Sequence, residues 1–203
     1  AFDPVHLGHL RVALETMEHF PLRLIRLVPC KVPVHKAPTI ANETHRIAML
    51  KLATAGQARF CVDNREIERK TPSYMIETLL SLQEELGKKT PLALILGLDA
   101  LFGFTTWYDW QRIFDVAHLI VVSRGSEKIY LPSDLQDFLK TRKTRNPEEM
   151  IKTTAGRVFF HRVTRLDISS TQIRKMIVKK QSPQYLIPEV VWEYIQKHNL
   201  YEG

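Results

Sequence analysis

A chain of 203 residues with 44% hydrophobic content can bury one sizeable core and is short for two, so a single domain over 1–203 is expected. A net charge of +7 and a pI near 9.5 favour an anionic partner, and the lack of any run of roughly 18 apolar residues excludes a helical membrane span. Cys30 and Cys61 sit in apolar surroundings in a chain that needs no disulfide, and no charged-then-apolar leader is read, so the cytoplasm is the expected compartment.

Phe2-Asp3-Pro4-Val5-His6-Leu7-Gly8-His9 comes first, and Leu10, Ala13, Leu14 and Met17 at the helical period predict a helix over 8–19 behind it. Gly8 admits an anion to the backbone, the first helical N–H groups point outward unpaired, and His6 and His9 add directional donors. The octapeptide therefore reads as a docking point for phosphate. Two other readings stand beside it: Asp3, His6 and His9 as metal ligands, and the histidines as ordinary surface residues.

Short aliphatic runs then alternate with amphipathic stretches. Strands are predicted over 22–28, 59–63, 92–96, 118–123 and 158–161, and further helices over 44–53, 73–86 and 109–114. The alternation predicts an α/β fold with a Rossmann-like doubly wound parallel sheet covered on both faces. In such a fold a buried strand leads into the first phosphate-binding helix. None precedes Phe2, so the first strand is expected to be missing, the start being truncated or unusual.

Residues 125–156 are rich in charge and poor in aliphatics, and read as a surface excursion with a modest helical pattern around Leu135 and Leu139. The part over 169–203 is expected to be helical, closing with a helix over 188–200 that carries Val191, Tyr194 and Ile195 on one face. Basic clusters at Lys140, Arg142, Lys143 and Arg145 and at Arg174, Lys175, Lys179 and Lys180 lack interleaved aromatics, so no nucleic acid is expected as a partner.

A second anion cradle is read in Ile168-Ser169-Ser170-Thr171-Gln172-Ile173-Arg174. Ser169 with Gln172 matches a capping box and Ile168 with Ile173 a hydrophobic staple, which starts a helix at Ser169. Its end would display the hydroxyls of Ser170 and Thr171, free N–H groups and, one turn on, the Arg174 guanidinium. A solvated surface helix is the plainer alternative. Two such helix starts in one chain suit a reaction between two phosphates.

Together, Phe-Asp-Pro-Val-His-x-Gly-His and Ile-Ser-Ser-Thr-x-Ile-Arg resemble the H-x-G-H nucleotidyltransferase superfamily and, within it, the bacterial nicotinate-nucleotide adenylyltransferases. Gly97-Leu98-Asp99, Thr106-Trp107-Tyr108, Pro72-Ser73-Tyr74 and Pro33-Val34-His35-Lys36 fit the same likeness, as does the run from Ala117 to Arg124. The resemblance implies catalysis by His6, His9 and Arg174, with ATP held by these and by Phe2, Gly8, Gly97, Asp99, Ile168, Ser169 and Ser170. It implies mononucleotide contacts from His35, Lys36, Arg46, Tyr74, Met75, Trp107, Tyr108 and Arg124, with Trp107 and Tyr108 on the nicotinate ring and Trp110 structural. Met75 stands where threonine is usual and Cys30 where a polar amide is frequent, and both bear on the preference for acid over amide substrate.

The implied reaction is attack by the 5′-phosphate of nicotinate mononucleotide on the α-phosphorus of ATP, giving deamido-NAD and pyrophosphate. Mg²⁺ is expected to arrive on the ATP, with no metal site of the protein's own. ATP and nicotinate mononucleotide are the expected partners, with a homo-oligomer compatible with the sequence and no membrane involved. Three rivals remain at this point: a pantetheine-phosphate adenylyltransferase, a non-catalytic anion- or RNA-binding domain, and a metal-dependent hydrolase built on Asp3, His6 and His9.

Overall fold

Every strand pair in the computed structural model is parallel, as short aliphatic runs separated by helices require. The described residues are 2–31, 38–123, 125 and 130–202. In chain order the elements are α1 (Leu7–His19), β1 (Ile25–Leu27), α2 (Glu43–Thr54), β2 (Phe60–Val62), α3 (Arg65–Glu68), α4 (Met75–Leu86), β3 (Ala93–Gly97) and α5 (Leu98–Phe102). They continue with α6 (Ile113–Val116), β4 (His118–Ser123), α7 (Ser133–Lys140), β5 (Lys143–Thr144), α8 (Glu149–Lys152), β6 (Val158–Arg162), α9 (Ser170–Val178) and α10 (Glu189–Lys197). Among the described residues no helix is long and apolar enough to cross a membrane.

Contacts group the chain into two compact units. The first comprises Ala1–Leu14, Leu22–Ser73 and Leu166–Gly203; the second comprises Glu15–Pro21 and Tyr74–Arg165. The first holds the pair β1-β2, in register Ile25 to Phe60 and Leu27 to Val62. Its core gathers Val5, Leu27, Met49 and Leu50 with Ile168, Ile173, Val191 and Ile195, so segments from both ends of the chain share one apolar interior. The capping read from sequence is seen at α9, and α2 gains a cap as well, the Asn42 side chain accepting from the His45 N–H.

The second unit holds a four-stranded sheet in the order β3-β4-β6-β5. β4 runs over the predicted span, and Leu119, Ile120 and Val121 are fully buried, as a strand covered on both faces should be. α4 stops at Gly87, whose φ of +86° suits a residue without Cβ. The helix expected over 109–114 is broken by a left-handed Asp109, so a 3-10 turn over Trp110–Arg112 precedes α6.

The reading of 125–156 needs correction. Leu135 and Leu139 on α7 are fully buried in the core of the second unit, Met150 on α8 is buried as well, and β5 adds an edge strand beside β6. Leu135 and Leu139, four apart on a short helix, suffice with Phe138 to anchor it although Asp134, Asp137 and Lys140 are charged.

Candidate active site

Ser169 has extended backbone and accepts the Gln172 N–H on its hydroxyl at 3.1 Å, so α9 begins where the sequence predicts. Two side chains then tie this helix start to the opening octapeptide. The Ser170 hydroxyl donates to the Pro4 carbonyl at 2.9 Å, and Arg174 Nη1 donates to the Asp3 carbonyl at 2.6 Å. Arg174 Nη2 also reaches the Thr171 hydroxyl at 3.3 Å. One edge of the guanidinium is thus fixed while the side chain stays 22% exposed, which leaves donors for an anion. A groove of about 400 Å³ beside the helix start is lined by Ser169, Thr171, Gln172, Lys175 and Lys179 among others.

The octapeptide packs its two imidazoles against each other. The rings of His6 and His9 stack at 3.7 Å, the His6 N–H donates to His9 Nδ1 at 3.3 Å, and Phe2 meets His9 edge-on at 4.9 Å. With Nδ1 accepting, neutral His9 carries its proton on Nε2. Gly8 serves a purpose the sequence reading missed. A Cβ there would lie 3.0 Å from His6 Nδ1 and 3.1 Å from His6 Cε1, so the glycine makes room for the buried His6 ring.

The amides at the start of α1 are not all free, contrary to expectation. Leu7 N–H donates to the Leu186 carbonyl at 3.0 Å, and His9 N–H donates to the His6 carbonyl at 2.9 Å. Gly8 N–H is left without an acceptor among the described residues. Helix starts offer several donors, and the loop before α10 takes one of them here.

Asp3 is not placed as a metal ligand. Its buried carboxylate accepts from Ile40 N–H at 2.8 Å, Ala41 N–H at 3.1 Å and the Tyr201 hydroxyl at 2.7 Å. Burial, and after it the neighbouring carboxylate, pushes the Tyr201 phenol far up, so it remains a donor. Among the described residues no three His, Cys, Asp or Glu side chains converge as a metal cage would require.

The aromatic set lies in the second unit. Tyr74 caps α4, immediately before Met75, and its ring contacts Tyr108 at 4.7 Å; Tyr108 is 59% exposed. Trp107 and Trp110 are both half-buried against the core, Trp107 on Phe104 at 5.1 Å and Trp110 on Phe104 and Phe138. Gly97 ends β3 and caps α5, a Cβ there would meet nothing within 4 Å, and Asp99 is exposed in the first turn. This is the carboxyl end of a parallel strand, where α/β folds bind ligands.

The structure thus brings Phe2, His6, Gly8, His9, Ile168, Ser169, Ser170 and Arg174 together in the first unit. Tyr74 meets Tyr108 in the second unit, which also holds Met75, Trp107, Gly97 and Asp99. His35, Lys36 and Arg124 lie outside the described residues. Arg46 is a correction: it is fully buried and its Nε donates to the Ala41 carbonyl at 3.2 Å, so it braces the protein where an anion contact was expected. Sequence reasoning missed Tyr201, which has no local signal and stands 198 residues from its partner Asp3.

A match to the cytidylyltransferase-like family spans residues 1–176. A "Probable nicotinate-nucleotide adenylyltransferase" of Marinomonas sp. (strain MWYL1) is 43% identical over 200 residues, covering 98% of this chain and 90% of its own. One from Methylococcus capsulatus is 41% identical over 201 residues, covering 98% and 95%. Among solved structures, Plasmodium falciparum nicotinic acid mononucleotide adenylyltransferase complexed with NaAD shares the fold with a TM-score of 0.69 at 20% identity, covering 99% of this chain and 93% of its own.

Proposed function

Because the chain belongs to the nicotinate-nucleotide adenylyltransferases, we propose that it transfers the adenylyl group of ATP to the 5′-phosphate of nicotinate mononucleotide, releasing pyrophosphate and forming deamido-NAD. The observation that supports the site assignment is the double tie of Ser170 and Arg174 onto the backbone of Asp3 and Pro4, which joins two motifs far apart in sequence.

The substrate phosphate is already a nucleophile, so catalysis needs alignment and charge stabilisation and no covalent protein intermediate. His9 donates from Nε2 to a phosphate oxygen, and His6, stacked beneath it, holds that ring in place. The α9 start and the outer edge of Arg174 hold the β- and γ-phosphates that leave as pyrophosphate. Tyr74, Trp107 and Tyr108 supply flat faces for the pyridinium ring, where a cation–π contact contributes about 0.5–2 kcal/mol.

A divalent cation suits this chemistry, and Mg²⁺ is our reading of it. The engaged Asp3 carboxylate and the lack of a converging ligand set among the described residues fit an ion bound through phosphate and water oxygens. It would neutralise charge on the phosphates. The cytoplasm is the compartment that suits free Cys30 and Cys61 and soluble nucleotide substrates.

The test is pyrophosphate release with ATP and Mg²⁺ against nicotinate mononucleotide, nicotinamide mononucleotide and phosphopantetheine. Turnover confined to phosphopantetheine, or none with any acceptor, overturns the assignment. The ratio of the first two rates reads the selectivity at Met75.

A further inference from the structure

Asp3 is the point on which three parts of the first unit close. Oδ1 accepts the Tyr201 hydroxyl at 2.7 Å and the Ala41 N–H at 3.1 Å, and Oδ2 accepts the Ile40 N–H at 2.8 Å. Arg174 Nη1 rests on the Asp3 carbonyl at 2.6 Å but stands 3.8 Å from Oδ2, the outer limit of an ion pair. The carboxylate is 3% exposed as a residue and the tyrosine 7%, so water is a poor substitute for a lost donor.

We propose that Tyr201 is a positioning residue of the adenylyltransferase site, its hydroxyl satisfying the Asp3 carboxylate so that Arg174 stays aimed at the ATP phosphates. The proposal rests on the functional reading above. A buried carboxylate seeks the strongest donors within reach, and a guanidinium at 3.8 Å is one. The phenol, together with the Ile40 and Ala41 amides, occupies the carboxylate, so Arg174 is anchored on the Asp3 carbonyl and the Thr171 hydroxyl. Without the hydroxyl, Oδ1 keeps only the longer Ala41 bond, and the carboxylate turns toward Arg174. The guanidinium then closes on Asp3 and withdraws donors from the ligand. The Tyr201 ring sits in the core with Val191 and Ile195, where its place is fixed independently of substrate. The burial that raises its pKa keeps the hydroxyl a donor across the working pH range.

The experiment measures pyrophosphate release by wild type, Y201F, R174A and the double variant, varying each substrate in turn. Y201F is expected to raise the KM for ATP about 10-fold and to leave the KM for the mononucleotide within about twofold, as loss of a hydrogen bond to a charged group predicts. In the R174A background Y201F should change the ATP parameters by less than about twofold, because the two residues act in series. Effects that multiply in the double variant, or KM values that rise together for both substrates, overturn the inference and leave Tyr201 a core residue. KM is independent of the folded fraction, so a destabilised Y201F still reads out. Y201M, which fills the pocket without the hydroxyl, is expected to match it, and failure of both variants to fold also overturns the inference. An inactive wild type refutes the functional reading itself, which separates the two failures.

Discussion

The His6 and His9 rings stack at 3.7 Å with 27° between their planes, and a backbone N–H of one donates to the imidazole of the other. Two histidines three apart thereby form a stacked pair. His9→Ala is expected to lower kcat by about 100-fold, the scale of losing one charge-stabilising donor, while leaving the melting temperature within a few degrees. Steady-state kinetics with thermal unfolding checks this, and a near-wild-type rate would remove His9 from the site.

Gly8→Ala tests the same pair from below. The new Cβ would press on His6 Nδ1 at 3.0 Å, and the ring is buried, so it must move and take His9 with it. Overpacking of this kind costs about 1–3 kcal/mol. Turnover is expected to fall at least about 10-fold, more than the stability loss explains at a temperature where the variant remains folded. Chemical denaturation and initial rates on one preparation separate the two effects.

Trp107→Ala removes a half-buried face beside Phe104. The expected result is a KM for nicotinate mononucleotide raised about 10-fold, with the KM for ATP changed by less than about twofold, in keeping with a cation–π and stacking loss of about 1–2 kcal/mol. Equal changes in both constants would make Trp107 a packing residue only.

Acid should weaken the second unit through His118. Its Nδ1 accepts the Arg157 N–H at 3.0 Å while Nε2 lies 2.8 Å from the Thr153 carbonyl, an arrangement that requires the neutral ring protonated on Nε2. Burial pushes its pKa below the ordinary 6.5, helped by the Arg157 charge and opposed by the Thr153 bond. Between the two pKa values the unfolded chain binds a proton that the folded chain refuses. Stability is therefore complete above about pH 7 and declines as pH falls through 6.5 toward the folded value. Imidazole NMR should show His118 titrating below 6.5, and a midpoint at or above that value contradicts the assignment.

Leu135→Ala probes the segment that the sequence presents as an excursion. The side chain is fully buried, so a loss of about 2–5 kcal/mol is expected in denaturant unfolding. A loss below about 1 kcal/mol would return α7 to the surface.

The legible parts of this chain were those whose causes are local. β4 is continuous, aliphatic and β-branched, and its bounds follow from composition; the start of α9 follows from a serine and a glutamine three apart. The unread parts depend on partners distant in sequence. Nothing near Arg46 says that it is buried, and nothing near Tyr201 says that its hydroxyl meets Asp3. Charge dominates 125–156 by count, and two leucines outweigh it by position. In the site, the motif residues were visible because phosphate chemistry constrains their types, whereas the residues that hold them are constrained only by geometry.

The bond between Leu7 and Leu186, like that between Asp3 and Tyr201, also sets an order of events during synthesis. The second unit is nearly continuous in sequence and can form its sheet once Arg165 has left the ribosome. The first is assembled from three separate stretches, and its opening octapeptide waits for the closing turn of the chain. A nascent chain stalled before α9 should therefore resist protease across the β3-β4-β6-β5 sheet while His6 and His9 remain unmade as a pair.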